Sequence, residues 1–259
     1  MCGIVGLFLK DKSLEPQLGA LLSEMLVTMT DRGPDSAGIA IYGAVQNNLA
    51  KLTIQSPEPE TDFAGLTDEL RAAGIANASI LPKSTHAVIT VGADQIGATR
   101  TALAELRPNI RVMGTGNVME IYKEVGLPKD VVERFKITDM SGTHGIGHTR
   151  MATESGVDIR SAHPFWGYPL SDVAVVHNGQ LTNYWNTRRT LEKKGMRFMS
   201  DCDSELIAVY LANKIRDGYD LDDGMRQSLE DLDGVFTYLV ATKDKLGMAK
   251  DYMAAKPMV

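Results

Sequence analysis

The chain has 259 residues, 44% of them hydrophobic, and a formal net charge of −6. That is apolar content enough for a sizeable core in one large or two ordinary domains, and the scattered basic residues exclude a nucleic-acid footprint or a polybasic membrane patch. No run approaches the ~20 apolar residues of a membrane helix, no targeting segment is present, and the two cysteines, Cys2 and Cys202, are too few and too far apart for a disulfide framework or a structural zinc, so a cytoplasmic location is expected.

Gly3 to Leu9 reads as a buried strand, and Leu14, Leu18, Leu21, Leu22, Met25, Leu26 and Met29 then recur at helical spacing. Asp31-Arg32-Gly33-Pro34-Asp35 ends that helix. Ala37 to Tyr42 reads as a second strand, with Leu49 to Ile54 expected beside it across the Gln46-Asn47-Asn48 turn. At Ser56-Pro57-Glu58-Pro59-Glu60 the character changes, and residues 55–140 read as an inserted small α/β unit within a single domain of residues 1–259. Its expected elements are a helix around Asp62 to Ala73, a strand His86 to Val91, a helix Gln95 to Leu106, a strand Ile110 to Met113, and helices around Asn117 to Val125 and Lys129 to Phe135, the last opened by Pro128. Strands return at Gly145 to Ala152 and Val173 to Val176. Helices near Asn183 to Lys194, Asp203 to Ile215 and Leu221 to Leu232 follow, then strands Val235 to Ala241 and Leu246 to Lys250. Lys256-Pro257-Met258-Val259 resembles the start of another strand, so the C-terminal end is expected to be incomplete.

Chemistry concentrates at a few points. Removal of Met1 would put a thiol and a free α-amine on Cys2, and reference pKa values of about 8.5 and about 7.7 to 8.0 let the amine accept the thiol proton near neutral pH. The plain alternative is a small buried residue opening a strand. Arg150, in Gly147-His148-Thr149-Arg150-Met151-Ala152-Thr153, offers a planar fork suited to a carboxylate, although alone it reads as a surface arginine. His177-Asn178-Gly179 is either a tight hairpin turn or, at a strand-to-helix corner, a pair of donors for an oxyanion. Ser200-Asp201-Cys202-Asp203 is either a helix cap or a carboxylate set to meet an α-ammonium. Gly114-Thr115-Gly116 lacks a full phosphate-loop pattern, and His86 and His144 show no metal-ligand spacing.

Together, Cys2-Gly3-Ile4-Val5-Gly6, Arg32-Gly33-Pro34-Asp35-Ser36-Ala37-Gly38, Gly147 to Thr153, Ala162-His163-Pro164, His177-Asn178-Gly179 and Asp201-Cys202-Asp203-Ser204-Glu205 resemble the blocks of the class II, N-terminal-nucleophile glutamine amidotransferases. The resemblance implies an α+β, four-layer αββα sandwich and a glutaminase that hydrolyses L-glutamine to glutamate and ammonia through an N-terminal cysteine thioester, with no metal or organic cofactor. Carried over, Cys2 would attack, Asn178 and Gly179 would hold the oxyanion, Arg150 with Thr153 would take the substrate carboxylate and Asp203 its ammonium. His163 would line the pocket, and Arg32 and Gly33 would sit near the mature N-terminus. Met151 and Glu154 stand where some members have tryptophan and histidine, so the pocket wall is expected to differ. The insertion, including Arg111 to Asn117, resembles stand-alone glutaminase subunits related to glutamate synthase and N-methylglutamate synthase. This implies an ammonia-using synthase partner, since no acceptor domain follows. A glutaminase half of an amidophosphoribosyltransferase, another N-terminal-cysteine amidohydrolase, and a glutamine-binding regulatory module that keeps Met1 are the alternatives.

Overall fold

The computed structural model describes residues 2–152 and 156–258. After β1 (Gly3–Phe8), helix α1 (Leu18–Thr28) buries Leu18, Leu22 and Leu26, one per turn along a single stripe. Each such burial contributes about 1.5–3 kcal/mol. Then come β2 (Ser36–Tyr42), β3 (Leu49–Gln55), α2 (Pro59–Asp62), α3 (Leu66–Ala72), β4 (Ser79–Lys83), β5 (His86–Gly92), α4 (Ile96–Leu106), β6 (Arg111–Gly116) and β7 (Met119–Val125). Helix α5 (Pro128–Phe135) opens on Pro128, where a missing N–H costs nothing. The remainder is β8 (His144–Arg150), β9 (Phe165–Trp166), β10 (Ala174–Leu181), α6 (Tyr184–Lys193), α7 (Asp203–Arg216), α8 (Leu221–Asp231), β11 (Gly234–Ala241) and β12 (Leu246–Lys250).

Three four-stranded antiparallel sheets result, in the orders β1-β8-β2-β7, β12-β11-β10-β9 and β4-β5-β3-β6. Strand alternation sorts the side chains into layers. On β2, Ala37, Ile39 and Ile41 pack with α1 and α5, whereas Ala40 and Tyr42 meet Val176, Leu239 and Ala241 of the second sheet. On β11, Phe236, Tyr238 and Val240 turn instead toward Leu206, Val209 and Tyr210 of α7. The order is helix layer, sheet, sheet, helix layer, the expected αββα sandwich.

The third sheet differs from the sequence expectation in its strand pairing. Leu49 to Ile54 does not lie beside β2: as β3 it pairs with β5 and β6. Asn117 to Val125 is not helical, because from Met119 the chain runs as β7 along β2, with Tyr42 opposite Met119 and Gly43 N–H donating to the Val118 carbonyl at 3.0 Å. The strands of the third sheet therefore come from residues 49–116, and α5 packs on the sandwich, where Val131, Val132 and Phe135 join the α1 core. The third sheet has a core of its own, with Leu52, Ile54 and Ile89 against Leu66, Leu70 and Leu103, while its Val88 and Met113 join the sandwich clusters. At the handover Asp172, 4% exposed, accepts the N–H groups of Asn117, Val118 and Met119 at 2.9, 3.0 and 3.0 Å.

Candidate active site

Strands β1, β8 and β10 carry the chemistry-bearing residues to one end of the sandwich. There a cavity of about 1320 Å³ is lined by Cys2, Arg150, His163, Asn178, Gly179 and Asp203 among others. Cys2 lies one residue before the pairing of Gly3 with Thr149, so the register of β1 on β8 sets its thiol beside the end of β8. The Met151 N–H points to Cys2 Sγ at 3.4 Å, and the thiol lies 3.7 Å from the Met151 carbonyl. Asn178 Nδ2 donates to the Cys2 carbonyl at 3.1 Å.

The segment His177 to Gly179 is neither hairpin turn nor corner but the middle of β10, opposite Tyr238, Thr237 and Phe236. Gly179 has φ +148°, and a Cβ there would come within 2.0 Å of the Val235 carbonyl, so only glycine fits this strand approach. At the start of α7 the N-cap residue is Cys202, which makes no side-chain cap, and Glu205 in the first turn instead accepts from the loop N–H groups of Met199 and Ser200, both at 2.7 Å. Asp203 is left to accept the Leu181 N–H at 2.9 Å, which ties it to the end of β10.

Arg150 is 4% exposed, and its guanidinium donates to the Gly156 carbonyl at 3.0 Å. Arg32 and Gly33 are not on the cavity wall. Gly33 packs so closely on the backbone of Thr149 and Arg150 that a Cβ would lie 2.4 Å from Thr149, and the turn is fastened by the Asp35 N–H to the Arg150 carbonyl at 3.0 Å and by the Ala152 N–H to the Asp35 carboxylate at 2.8 Å. Thr153 and Glu154 lie outside the described residues.

Three histidines meet at the cavity, His163 and His177 on its wall and His148 behind them, and the sequence blocks named them without revealing that they meet. His148 and His163 stack at 3.8 Å, His148 Nε2 donates to the His177 carbonyl at 2.9 Å, and His177 Nδ1 lies 2.7 Å from Ser204 Oγ. Burial pushes His148 down to about 3, holds His163 well below the usual range and lowers His177 despite the opposing pull of Asp203. The wall is therefore neutral at pH 7. Lys123, from β7, reaches under it and donates to the carbonyls of Ala162 and Pro164 at 2.6 and 3.3 Å, gripping the chain on both sides of His163. Burial pulls its ammonium down to about 8, against the attraction of Glu205. Cys202 is buried and its thiol is pushed up to about 11, so it is a poor thiolate beside Cys2. Among the described residues no cluster of histidine, cysteine, aspartate and glutamate could hold a metal, and no helix is long and apolar enough to cross a membrane.

A glutamine amidotransferase domain model matches residues 148–259. The glutamine amidotransferase-like protein GlxB of Rhizobium meliloti (strain 1021) is 54% identical over 259 residues, spanning all of this chain and 85% of that protein. Amidophosphoribosyltransferase of Methanocaldococcus jannaschii is 33% identical over 144 residues, 55% of this chain and 31% of that one. Glutamine–fructose-6-phosphate aminotransferase of Thermococcus kodakarensis is 31% identical over 134 residues, 52% of this chain and 22% of that one. With relatives of this kind, a sandwich of this layering and a cysteine at the head of its first strand, the chain belongs to the class II, N-terminal-nucleophile glutamine amidotransferases.

Proposed function

We propose that the protein is a glutaminase subunit that hydrolyses L-glutamine through Cys2 and hands ammonia to a separate synthase of the glutamate synthase type. The observation that carries this reading is the meeting, in one cavity, of Cys2 with an amide donor, a glycine, a buried guanidinium and a buried-edge carboxylate drawn from four distant parts of the sequence.

After loss of Met1, the Cys2 α-amine takes the thiol proton as Sγ attacks the glutamine side-chain carbonyl. Asn178 Nδ2 and the Gly179 N–H stabilise the oxyanion, Asn178 turning from its contact with the Cys2 carbonyl to do so. The tetrahedral intermediate collapses, the C–N bond breaks, and the proton held by the amine leaves with ammonia. Water then attacks the γ-glutamyl thioester, returning the thiol and releasing glutamate. Arg150 with Thr153 holds the substrate carboxylate, and Asp203 takes the α-ammonium with the oxygen not engaged by Leu181. The neutral histidine wall suits this pairing, since a cation at His163 would repel that ammonium. Gly33 packs against the end of β8 from behind, with Arg32 preceding it in the same turn.

Intact mass of the N-terminus, measured together with ammonia release by wild type and Cys2→Ala, tests the mechanism. Loss of Met1 with release that depends on Cys2 is expected. Retained Met1 with glutamine binding and no turnover would replace the glutaminase by a regulatory glutamine-binding module. Free ammonia production would waste glutamine, so turnover is expected to be low alone and to rise when the synthase docks; full activity of the isolated chain counts against the partner.

A further inference from the structure

A second cavity, of about 840 Å³, lies between α4 of the inserted sheet and the loops behind the candidate active site. That size is in the range of small-molecule sites. Its wall brings together four arginines, Arg100, Arg111, Arg160 and Arg197, with Lys123. Two acids share the wall, Glu105 and Glu205. The Glu205 carboxylate is already occupied by the N–H groups of Met199 and Ser200 and by the Ser200 hydroxyl. Arg160 reaches Asp158 at 3.7 Å. Arg100, Arg111 and Arg197 have no carboxylate within ion-pairing distance among the described residues, although the chain carries 33 acids against 27 lysines and arginines. A chain with acids to spare has thus left several guanidiniums around one concavity unneutralised, where their mutual repulsion favours an anion.

Two of them are also held in place. The Arg100 guanidinium lies over the rings of Trp166 and Tyr168, at 5.4 and 4.6 Å from their centroids, and Arg111 donates to Gln55 Oε1 at 3.3 Å. A fork already oriented loses less freedom on meeting a carboxylate or phosphate. The cavity also touches the first one. Arg160, Met199 and Ser200 line both, and Lys123, on the wall of the second, grips the two carbonyls that flank His163 on the wall of the first.

We propose that this second cavity binds a small polyanion bearing phosphate or carboxylate groups, and that its occupancy changes the affinity of the first cavity for glutamine through their shared wall. Only the second half rests on the proposed glutaminase reading. Calorimetric titration of the full chain at fixed ionic strength, with pyrophosphate in one arm and citrate in the other, separates the two anion chemistries. Saturable one-site binding is expected for at least one probe, weakened about tenfold by Arg111→Gln and by Arg197→Gln, as befits loss of a charge-assisted contact. Arg226→Gln, on an exposed part of α8, is expected to bind as wild type does, and circular dichroism melts check that each variant is folded. The bound probe is expected to shift the glutamine KM by about threefold in wild type and to lose that effect in Arg111→Gln. No saturable heat from either probe, equal weakening by Arg226→Gln, or binding of an acidic peptide alone overturns the site. Binding with an unchanged KM overturns the coupling, and binding by a chain that lacks glutaminase activity leaves the site standing while the proposed function falls.

Discussion

The sandwich and the inserted sheet bury side chains in different ways. In the sandwich the two sheets share one apolar layer and each covers its outer face with helices, so the central strand β8 is buried along its whole length and the groups at its end are stripped of water. The inserted sheet has a small core of its own, and its face toward the sandwich mixes apolar contacts, with Val88 and Met113 joining the sandwich clusters, and the contact of Lys51 with Glu120 at 2.6 Å. The candidate site lies in the first, whereas no residue of the second lines its cavity.

That contrast can be broken most directly in the two cores. Leu26→Ala and Ile54→Ala each remove a fully buried aliphatic side chain, at a cost of about 2–5 kcal/mol. Hydrogen exchange is expected to show loosening of β1, β8 and α1 in the first variant, with loss of ammonia release, and of residues 49–116 alone in the second, with turnover at 25 °C retained. Equal loss of turnover in both would show that the two units are not independent. Next in size, Asn178→Ala is expected to lower kcat by roughly 100- to 1000-fold, the effect of deleting an oxyanion donor, with little change in the melting temperature. A drop confined to KM would remove Asn178 from the proposed role.

Acid sharpens the same contrast. All five histidines are held below their ordinary value by burial, among them His86 of β5, at about 3, whose ring meets Phe135 of the sandwich at 4.8 Å. Their depressed folded values mean that below about 6.5 the unfolded chain binds more protons. Stability is complete above that pH and falls as pH drops toward the folded values, by up to about 1.4 kcal/mol per pH unit for each histidine that stays neutral. Urea midpoints at pH 7.5, 6 and 5 measure this, and replacing stacked His163 by Gln is expected to flatten the slope; an unchanged slope would mean that the stack takes up protons without unfolding. The smallest effect belongs to the inserted unit's surface, where Arg71 meets Asp68 at 3.5 Å and donates to the Ala78 carbonyl at 3.2 Å, and Arg71→Ala is expected to move stability by no more than about 1 kcal/mol in a denaturant titration.

The candidate site was readable because its residue types fall in short blocks of cysteine, glycine, histidine, asparagine, arginine and aspartate, and the six wall residues named above come from five different blocks. What could not be read was long-range pairing. The Gln46-Asn47-Asn48 turn suggested a hairpin, yet the partner of Tyr42 is Met119, and no local signal spans that distance. In β7, Met119, Glu120, Lys123 and Glu124 favour a helix, but burial between β2 and the inserted sheet selects the strand. His148 and His163 stack although they lie fifteen positions apart, with no spacing rule to connect them. Asp172, alone in a loop, gave no sign of its three backbone donors.

That same aspartate sets the terms for anyone who wishes to miniaturise the protein. Because Gly43 and Val118 already touch across adjacent strands, the 74 residues between them could be replaced by a two-residue turn, roughly the length a tight hairpin needs. Such a graft strips Asp172 of the Asn117 N–H and moves the other two, leaving a carboxylate at the heart of the junction with too few donors. A compact version is therefore a double edit, with Asp172→Asn or Asp172→Ala introduced alongside the excision, and a library that varies the turn alone would sample the wrong coordinate.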